Sequence, residues 1–324
     1  MENIRFVLIL AFAMISLMLW QAWQIDYGPK IPVAQIEEPA VAAKEDLPTT
    51  TNTAGQSLTE GHQAPTAQPP AATPSQVVTV KTDVIALEID LQGGTIQNLD
   101  LLDYPVEKDN AVVNAARKMV GLAPAEKNRQ PVRLFNSSPE KMFIAQSGLI
   151  AGSGSAAAAD HHTDFTAQAK QYTLAEGQDS LSVPLTWTDN NGLVVTKTFA
   201  FKRGSYEITL NQGVKNTSGK DWSGRQYSQL LKTPFSEGQG NMLTAGMRAY
   251  DGGVVYTEKD KYKKVDFDDM VENNLDVATQ GGWAAMIQHY FASAWIPPAE
   301  SENYFYTKHL KDERYVIGSY SPPV

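Results

Sequence analysis

Residues 180–214 read SLSVPLTWTDNNGLVVTKTFAFKRGSYEITLNQGV, and this stretch decides the fold. Apolar and polar side chains alternate along three runs that are rich in Val, Thr, Phe and Ile, which is the pattern of half-buried β-strands. Asn191 and Gly192 separate the first two runs and supply the positive φ values that a tight hairpin turn requires. The stretch therefore predicts antiparallel strands.

The same pattern continues on both sides of this stretch. Residues 77–90, VVTVKTDVIALEID, alternate in the same way. We predict turns at four dipeptides that contain glycine, namely Gly93-Gly94, Arg203-Gly204, Ser218-Gly219 and Gly252-Gly253. Residues 110–122 predict a surface helix that stops at Pro124, and the Gly/Ala/Ser-rich residues 148–164 predict a flexible loop. The fold class is all-β, and 77–324 form one large sandwich because no second proline-rich boundary interrupts them.

Composition excludes several classes of protein. The 324 residues carry 27 basic and 36 acidic side chains and a formal net charge of -9. Such a chain repels phosphate backbones, so no nucleic acid partner is expected. The absence of cysteine excludes a disulfide framework, thiolate catalysis and cysteine-ligated zinc.

Residues 4–23, IRFVLILAFAMISLMLWQAW, predict a transmembrane anchor within 1–26. As a helix they span about 30 Å, the thickness of the bilayer core. Bulky residues follow the apolar run where a signal-peptide cleavage site needs small ones, so we expect the helix to be retained. Arg5 at its start places the amino terminus in the cytoplasm and exports the rest of the chain.

Residues 27–76 predict a disordered linker. Eight of the 18 prolines lie there, among Ala, Thr and Gln, and this composition cannot bury enough apolar surface to fold. As a flexible chain the linker has an r.m.s. reach of about 40 Å.

Catalytic motifs are missing from the sequence. No G-x-S-x-G, H-E-x-x-H or G-x-x-x-x-G-K occurs, and no G-x-G-x-x-G follows a strand, so we expect no enzyme, no catalytic residue and no cofactor. The one cluster with metal-ligand chemistry is Asp160, His161, His162 and Asp164. Because it lies in the predicted flexible loop, nothing would hold the ligand geometry, and we expect no metal site.

Two groups of charged residues remain as candidates. Glu88 and Asp90 are two apart on a predicted strand and face the same way, either for acid/base work on a sugar or as a solvated strand face. The second group predicts an exposed strand or turn, or alternatively a docking surface. Its members are Lys259, Lys261, Lys263, Lys264, Asp266, Asp268 and Asp269.

The aromatic segment 281–298, GGWAAMIQHYFASAWIPP, is the most distinctive stretch. Its density of aromatic and aliphatic side chains is typical of a buried core strand or short helix. The alternative is an aromatic groove for an apolar or sugar ligand, or a partner, with contacts from Trp283, His289, Tyr290 and Trp295. His309 is the only other histidine outside the linker and the predicted loop, and could act as an acid or base.

Several stretches together resemble the amino-terminal part of a bacterial YidC-type membrane protein insertase. They are MISLMLWQAWQ (14–24), VKTDVIALEIDLQGGTIQNLDLLDYP (80–105), VTKTFAFKRGSYEI (195–208), VVYTEKDKYKKVDFDDM (254–270), 281–298 and YVIGSYSPPV (315–324). The resemblance implies an inner-membrane protein whose periplasmic domain is a β-supersandwich similar to galactose mutarotases. It also implies as partners nascent membrane proteins, the lipid bilayer and the Sec translocon, SecYEG with SecDF.

The sequence departs from that family by stopping at Val324. The five later helices that carry out insertion, and the arginine of their polar groove, have no counterpart in it. We therefore expect a fragment whose sandwich is incomplete at its C-terminal end, and which cannot insert proteins by itself. Three roles stay open for the exported domain: translocon docking with substrate chaperoning, carbohydrate or peptide binding by a mutarotase-like module, and a mere spacer.

Overall fold

The segments with alternating polarity form β-strands. The computed structural model describes residues 47–48, 76–106, 119, 129–152, 155, 158–189, 191–234, 250–288 and 290–324. The predicted anchor 4–23 and most of the predicted linker lie outside these residues, as does the predicted helix 110–122 except for Met119, which is helical and exposed. In the part of the chain that is described, no helix has the length and apolarity needed to cross a membrane.

The largest sheet has ten strands in the described residues and runs β14-β17-β18-β11-β5-β3-β2-β1-β7, with β4 paired to β3. All its pairs are antiparallel except β1 with β7. Its strands are β1 Val77–Lys81, β2 Ile85–Asp90, β3 Thr95–Pro105, β4 Pro131–Phe135, β5 Phe143–Ala151, β7 Gln171–Thr173, β11 Gly224–Lys232, β14 Asp276–Gln280, β17 Glu302–Leu310 and β18 Arg314–Tyr320.

Two four-stranded sheets complete the described fold, in the orders β10-β9-β8-β6 and β13-β12-β15-β16. The first contains β6 Thr166–Ala167, β8 Ser180–Thr188, β9 Leu193–Lys202 and β10 Ile208–Asn216. The second contains β12 Asp251–Thr257, β13 Lys261–Val265, β15 Trp283–Gln288 and β16 Phe291–Trp295. A helix, α1 Phe267–Glu272, and a 3-10 turn, Pro139–Lys141, are the helical elements with assigned bounds in the described residues. The predicted all-β class is confirmed.

The ten-stranded sheet buries side chains on both of its faces. Its inner face shares one core with the two smaller sheets, and Leu230 and Ile317 belong to that core. The next residue on β11, Leu231, and the preceding residue on β18, Val316, belong to a second cluster. Because neighbouring residues of a strand point to opposite faces, this cluster lies on the other side of the sheet, called here the outer face. It comprises Tyr227, Leu231, Tyr306, Leu310, Val316 and Tyr320.

The predicted hairpin between β8 and β9 is present, but only one of the two predicted positive φ values is found. Gly192 has a positive φ of 96°, whereas Asn191 is not among the described residues with positive φ. The Asp189 carboxylate instead accepts hydrogen bonds from the N–H groups of Asn191 and Leu193, at 2.9 and 2.7 Å. Asp189 and Leu193 close the hairpin, because the Asp189 N–H donates to the Leu193 carbonyl oxygen at 2.9 Å, and Gly192 supplies a left-handed position between them.

Two turn or loop predictions are wrong. Residues 148–151 belong to β5, and Ala159 and His161 further along the predicted flexible loop are buried. The predicted turn at Gly252-Gly253 lies inside β12. A Cβ on Gly253 would lie 2.7 Å from the Met270 Cε and 3.1 Å from the Ile317 Cδ1, so glycine here allows close packing of α1 and β18.

Candidate functional site

The aromatic segment forms the β15–β16 hairpin, at the edge of a four-stranded sheet. In the register of these strands Trp283 pairs with Tyr256 of β12, and Ala284 pairs with Trp295. Trp283 and Trp295 therefore project from opposite faces of the sheet. Trp295 packs against the main core, and its indole N–H has no hydrogen-bond partner among the described residues. The interpretation of a buried core strand fits Trp295 but not Trp283.

The four predicted contact residues do not meet on one surface as far as they are described. Tyr290 is 91% exposed in the turn between β15 and β16. His289 lies outside the described residues. With Trp283 and Trp295 on opposite faces, no shared aromatic groove forms from the described members. Contact of any of them with a ligand or partner stays a prediction.

Trp283, which is half-buried, instead contributes to an aromatic and basic surface. Its ring stacks on Tyr256, with centroids 5.7 Å apart and planes within 10°, and Tyr262 meets its edge at 6.2 Å. Tyr262 is 50% exposed. The Lys261 ammonium lies 5.9 Å from the centre of the Tyr256 ring. We call this the hairpin surface, defined by Tyr256, Lys261, Tyr262, Lys264 and Trp283.

The hairpin surface is held in place by the neighbouring turn and helix. Lys264 lies over the ring of Tyr250, with its ammonium 4.3 Å from the ring centre, a cation–π contact. The hydrogen bond to Glu258, at 3.0 Å, raises the pKa of Lys261. Beyond β13 the Asp266 N–H donates to the Asp269 carboxylate at 2.9 Å, which is part of a capping box at the start of α1.

This capping box corrects the prediction for the charged group of residues. Lys261, Lys263 and Lys264 lie on a strand that exposes them, as expected. Asp266, Asp268 and Asp269 begin a helix, not a strand or turn. An acidic residue followed three positions later by another is a helix-start signal that was available in the sequence. The helix does not test the alternative that the lysines form a docking surface, which stays a prediction.

Hydrogen bonds hold the residues of the cluster Asp160, His161, His162 and Asp164 in place. Asp160 accepts from the His162 N–H and from the Thr163 hydroxyl, both at 2.9 Å. The Tyr227 hydroxyl lies 3.0 Å from the His161 backbone nitrogen and 2.5 Å from its Nδ1. No group of three or more histidine or acidic side chains in the described part of the chain could hold a metal.

A small polar cavity lies beside these histidines, on the outer face. Its volume is about 160 Å³, close to that of an engineered cavity which admits benzene. This volume is sufficient for water or a small molecule. Its lining includes Asp90, Gln92, Gln97, Gln146, His161 and His162.

Glu88 and Asp90 have separate partners. The Asn98 side-chain amide donates to Glu88 at 2.6 Å, and the Gln92 N–H donates to Asp90 at 2.9 Å. Burial raises the pKa of Asp90, although its backbone hydrogen bond opposes the shift. Only Asp90 lines the cavity. His309 stacks on Tyr315 with centroids 4.9 Å apart and does not line it.

Comparison with known proteins places the chain in a family. The family model described as the YidC periplasmic domain matches residues 77–116 and 123–324. The chain belongs to the YidC family. A membrane protein insertase YidC of Methylococcus capsulatus is 43% identical over 324 residues, covering 100% of this chain and 54% of that relative. Its counterpart in Nitrosococcus oceani is 36% identical and covers 99% of this chain and 55% of that relative. The counterpart in Aeromonas hydrophila is 34% identical and covers 100% of this chain and 54% of that relative. The chain thus spans about half the length of these curated relatives.

Family membership confirms the resemblance stated from the sequence, and it matches the YidC periplasmic domain to the described sandwich. Among the candidate features, the hairpin surface combines one exposed and two half-buried aromatic rings with exposed lysines. Aromatic side chains are enriched in protein–protein contacts, so this surface can serve a macromolecular partner.

Sequence reasoning missed two buried lysines in the described part of this YidC domain, Lys197 and Lys232. Lys197 of β9 is fully buried, and its ammonium donates to the carbonyl oxygens of Gly93 and Ser147, both at 2.5 Å. Burial lowers the pKa of Lys197 to about 7. The alternation of β9 places residue 197 in phase with the buried Val195 and Phe199, so the signal was present in the strand pattern.

Proposed function

We propose that the chain is the anchor and periplasmic interaction module of a membrane protein insertase in the bacterial inner membrane. The match of the YidC periplasmic domain to 77–116 and 123–324 carries this proposal. In it, residues 1–26 contain the anchor and 27–76 the linker. Residues 77–324 form a β-supersandwich of the galactose mutarotase kind, and the whole domain lies in the periplasm.

An interaction role suits the chemistry of insertion. Moving a polar flank of a nascent membrane protein across lipid requires polar groups within the bilayer, because an unsatisfied polar group in hydrocarbon costs several kcal/mol. A β-sandwich outside the membrane cannot supply them. Its contribution is instead to bring the insertase next to its partners. These are the Sec translocon, SecYEG with SecDF, and nascent membrane proteins that leave the translocon.

The hairpin surface is the proposed contact with the Sec translocon. Tyr262 and Trp283 offer large rigid rings, which provide contact area at little conformational entropy cost. Lys261 and Lys264 add local positive charge to a chain of net charge -9. Such a surface suits a partner that presents apolar side chains beside carboxylates, and its lysines would also speed the encounter.

Site-specific photocrosslinking in living cells tests this contact. A photoreactive phenylalanine analogue replaces Tyr262, and a matched variant carries it at Tyr206, a tyrosine that is 42% exposed and outside the hairpin surface. We expect adducts with a Sec subunit from position 262 and at least five-fold fewer from position 206. Equal yields from the two positions, or no Sec adduct from 262, would contradict the proposed contact.

A further inference from the structure

The outer face of the ten-stranded sheet carries part of the predicted linker. Within 43–75 the structure describes Leu47 and Pro48, which belong to the same compact unit as the sandwich. Pro48 is buried and Leu47 is half-buried. Leu47 packs against the cluster of the outer face, which lies more than 170 residues further along the chain. Two residues from a segment with the composition of a disordered chain thus have a defined place.

A polar contact accompanies the packing. The Lys308 ammonium, from β17, donates a hydrogen bond of 3.2 Å to the carbonyl oxygen of Leu47, in a half-buried setting. A bond from a charged donor is stronger than one between neutral groups. It satisfies the carbonyl that would otherwise lose water when Leu47 packs on the sheet.

A Leu-Pro pair is chemically suited to this position. Proline has no N–H, so burying Pro48 leaves no donor unsatisfied, and the residue before a proline is already restricted to extended conformations. Docking the pair therefore costs less conformational entropy than docking most dipeptides. The receiving surface includes aromatic rings, with Tyr304 and Tyr320 stacked at 4.9 Å, and proline-containing segments commonly dock on aromatic surfaces.

We propose that Leu47–Pro48 is an intramolecular ligand of the outer face, which divides the linker into two arms. The arm before the pair, 27–46, has 20 residues, and the arm after it, 49–76, has 28. Release of the pair exposes the part of the outer-face cluster that Leu47 covers.

The sequence provides a control residue for the test and contains no native cysteine that would take up a spin label. Leu58 is the other leucine of the linker, and the chain has no cysteine. Spin labels can therefore be attached at two introduced cysteines, Thr49→Cys beside the docked pair and Lys215→Cys on β10, an exposed strand position. Pulsed electron–electron resonance then measures the distance distribution in the full 324-residue chain in detergent micelles. Circular dichroism verifies that each variant keeps its β structure.

We expect a narrow distribution in the labelled parent and in the Leu58→Asp variant. The Leu47→Asp variant should lose the narrow component and show the broad distribution of a free tether. A broad distribution in the parent would overturn the proposal. So would a narrow one in Leu47→Asp, or equal broadening by Leu47→Asp and Leu58→Asp.

Discussion

The Lys197 ammonium lies 2.5 Å from the carbonyl oxygen of Gly93, across 104 residues of sequence. The contact joins β9 of a four-stranded sheet to the turn between β2 and β3 of the ten-stranded sheet. Phe165 also faces the ammonium, 4.9 Å from its ring centre. A cation thus replaces an apolar side chain in the middle of the sandwich, and this has measurable consequences.

Replacing Lys197 by Met should change the pH dependence of stability. The pKa of Lys197 is about 7 in the folded chain and 10.5 as a free side chain. Below pH 7 the folded and unfolded states are both protonated. Between pH 7 and 10.5 unfolding takes up a proton, so the free energy of unfolding rises with pH by about 1.4 kcal/mol per unit. Urea unfolding at pH 7.5 to 9.5 should show this rise in the parent relative to Lys197→Met. Parallel pH profiles of the free energy of unfolding in the two proteins would contradict the lowered pKa of the buried Lys197.

Removing the Tyr227 hydroxyl should destabilise the segment around His161. Tyr227→Phe leaves the buried N–H of His161 without its acceptor, and an unsatisfied buried donor costs about 1 to 3 kcal/mol. Tyr206→Phe is the control, because the hydroxyl of Tyr206 donates to Asp103 in an exposed setting. It should cost under about 0.5 kcal/mol. Similar losses in urea unfolding for the two variants would show that the order of 158–165 does not depend on Tyr227.

The pair formed by Lys232 and Asp251 should show strong coupling. Their side chains form an ion pair in which Lys232 is 2% exposed and Asp251 25%, and burial lowers the pKa of Lys232. Asp251→Ala strands a buried cation and should cost about 3 kcal/mol, whereas the same change in a Lys232→Met background should cost under about 1 kcal/mol. A double-mutant cycle measured by urea unfolding tests this. Additive costs would mean that the two side chains do not interact.

The sequence predicted strands well where alternation was strong. In β9 the side chains alternate between buried and half-buried from Leu193 to Phe201, as the sequence pattern indicates. Residues 148–151 lack such a pattern, because Gly and Ala carry little strand propensity. They are a strand because they pair with β11, from Gly148 with Tyr227 to Ala151 with Gly224. This pairing is a property of the tertiary fold and leaves no local signal.

The candidate surfaces depended on long-range pairing that the sequence does not display. Trp283 and Trp295 were grouped by proximity in sequence, but the register of β15 with β16 sends them to opposite faces. Tyr256 joins Trp283 through the pairing of β12 with β15. Pro48 is one of eight prolines in the linker, and nothing in its neighbours distinguishes it from the others. The preceding Leu47 packs against a surface on β11, β17 and β18, far along the chain, and this contact fixes the place of the pair.

The central claim is that this domain recruits partners and does not itself insert membrane proteins. The most direct test expresses the whole gene, with Lys261→Glu and Lys264→Glu together, in cells depleted of their own insertase. A matched variant carries Lys202→Glu and Lys215→Glu, two exposed lysines of the other small sheet. Insertion is measured for one Sec-dependent and one Sec-independent membrane protein. We predict that the hairpin variant alone lowers Sec-dependent insertion, by at least three-fold, and leaves Sec-independent insertion unchanged. Equal effects on the two substrates, or no effect on either, would contradict the claim.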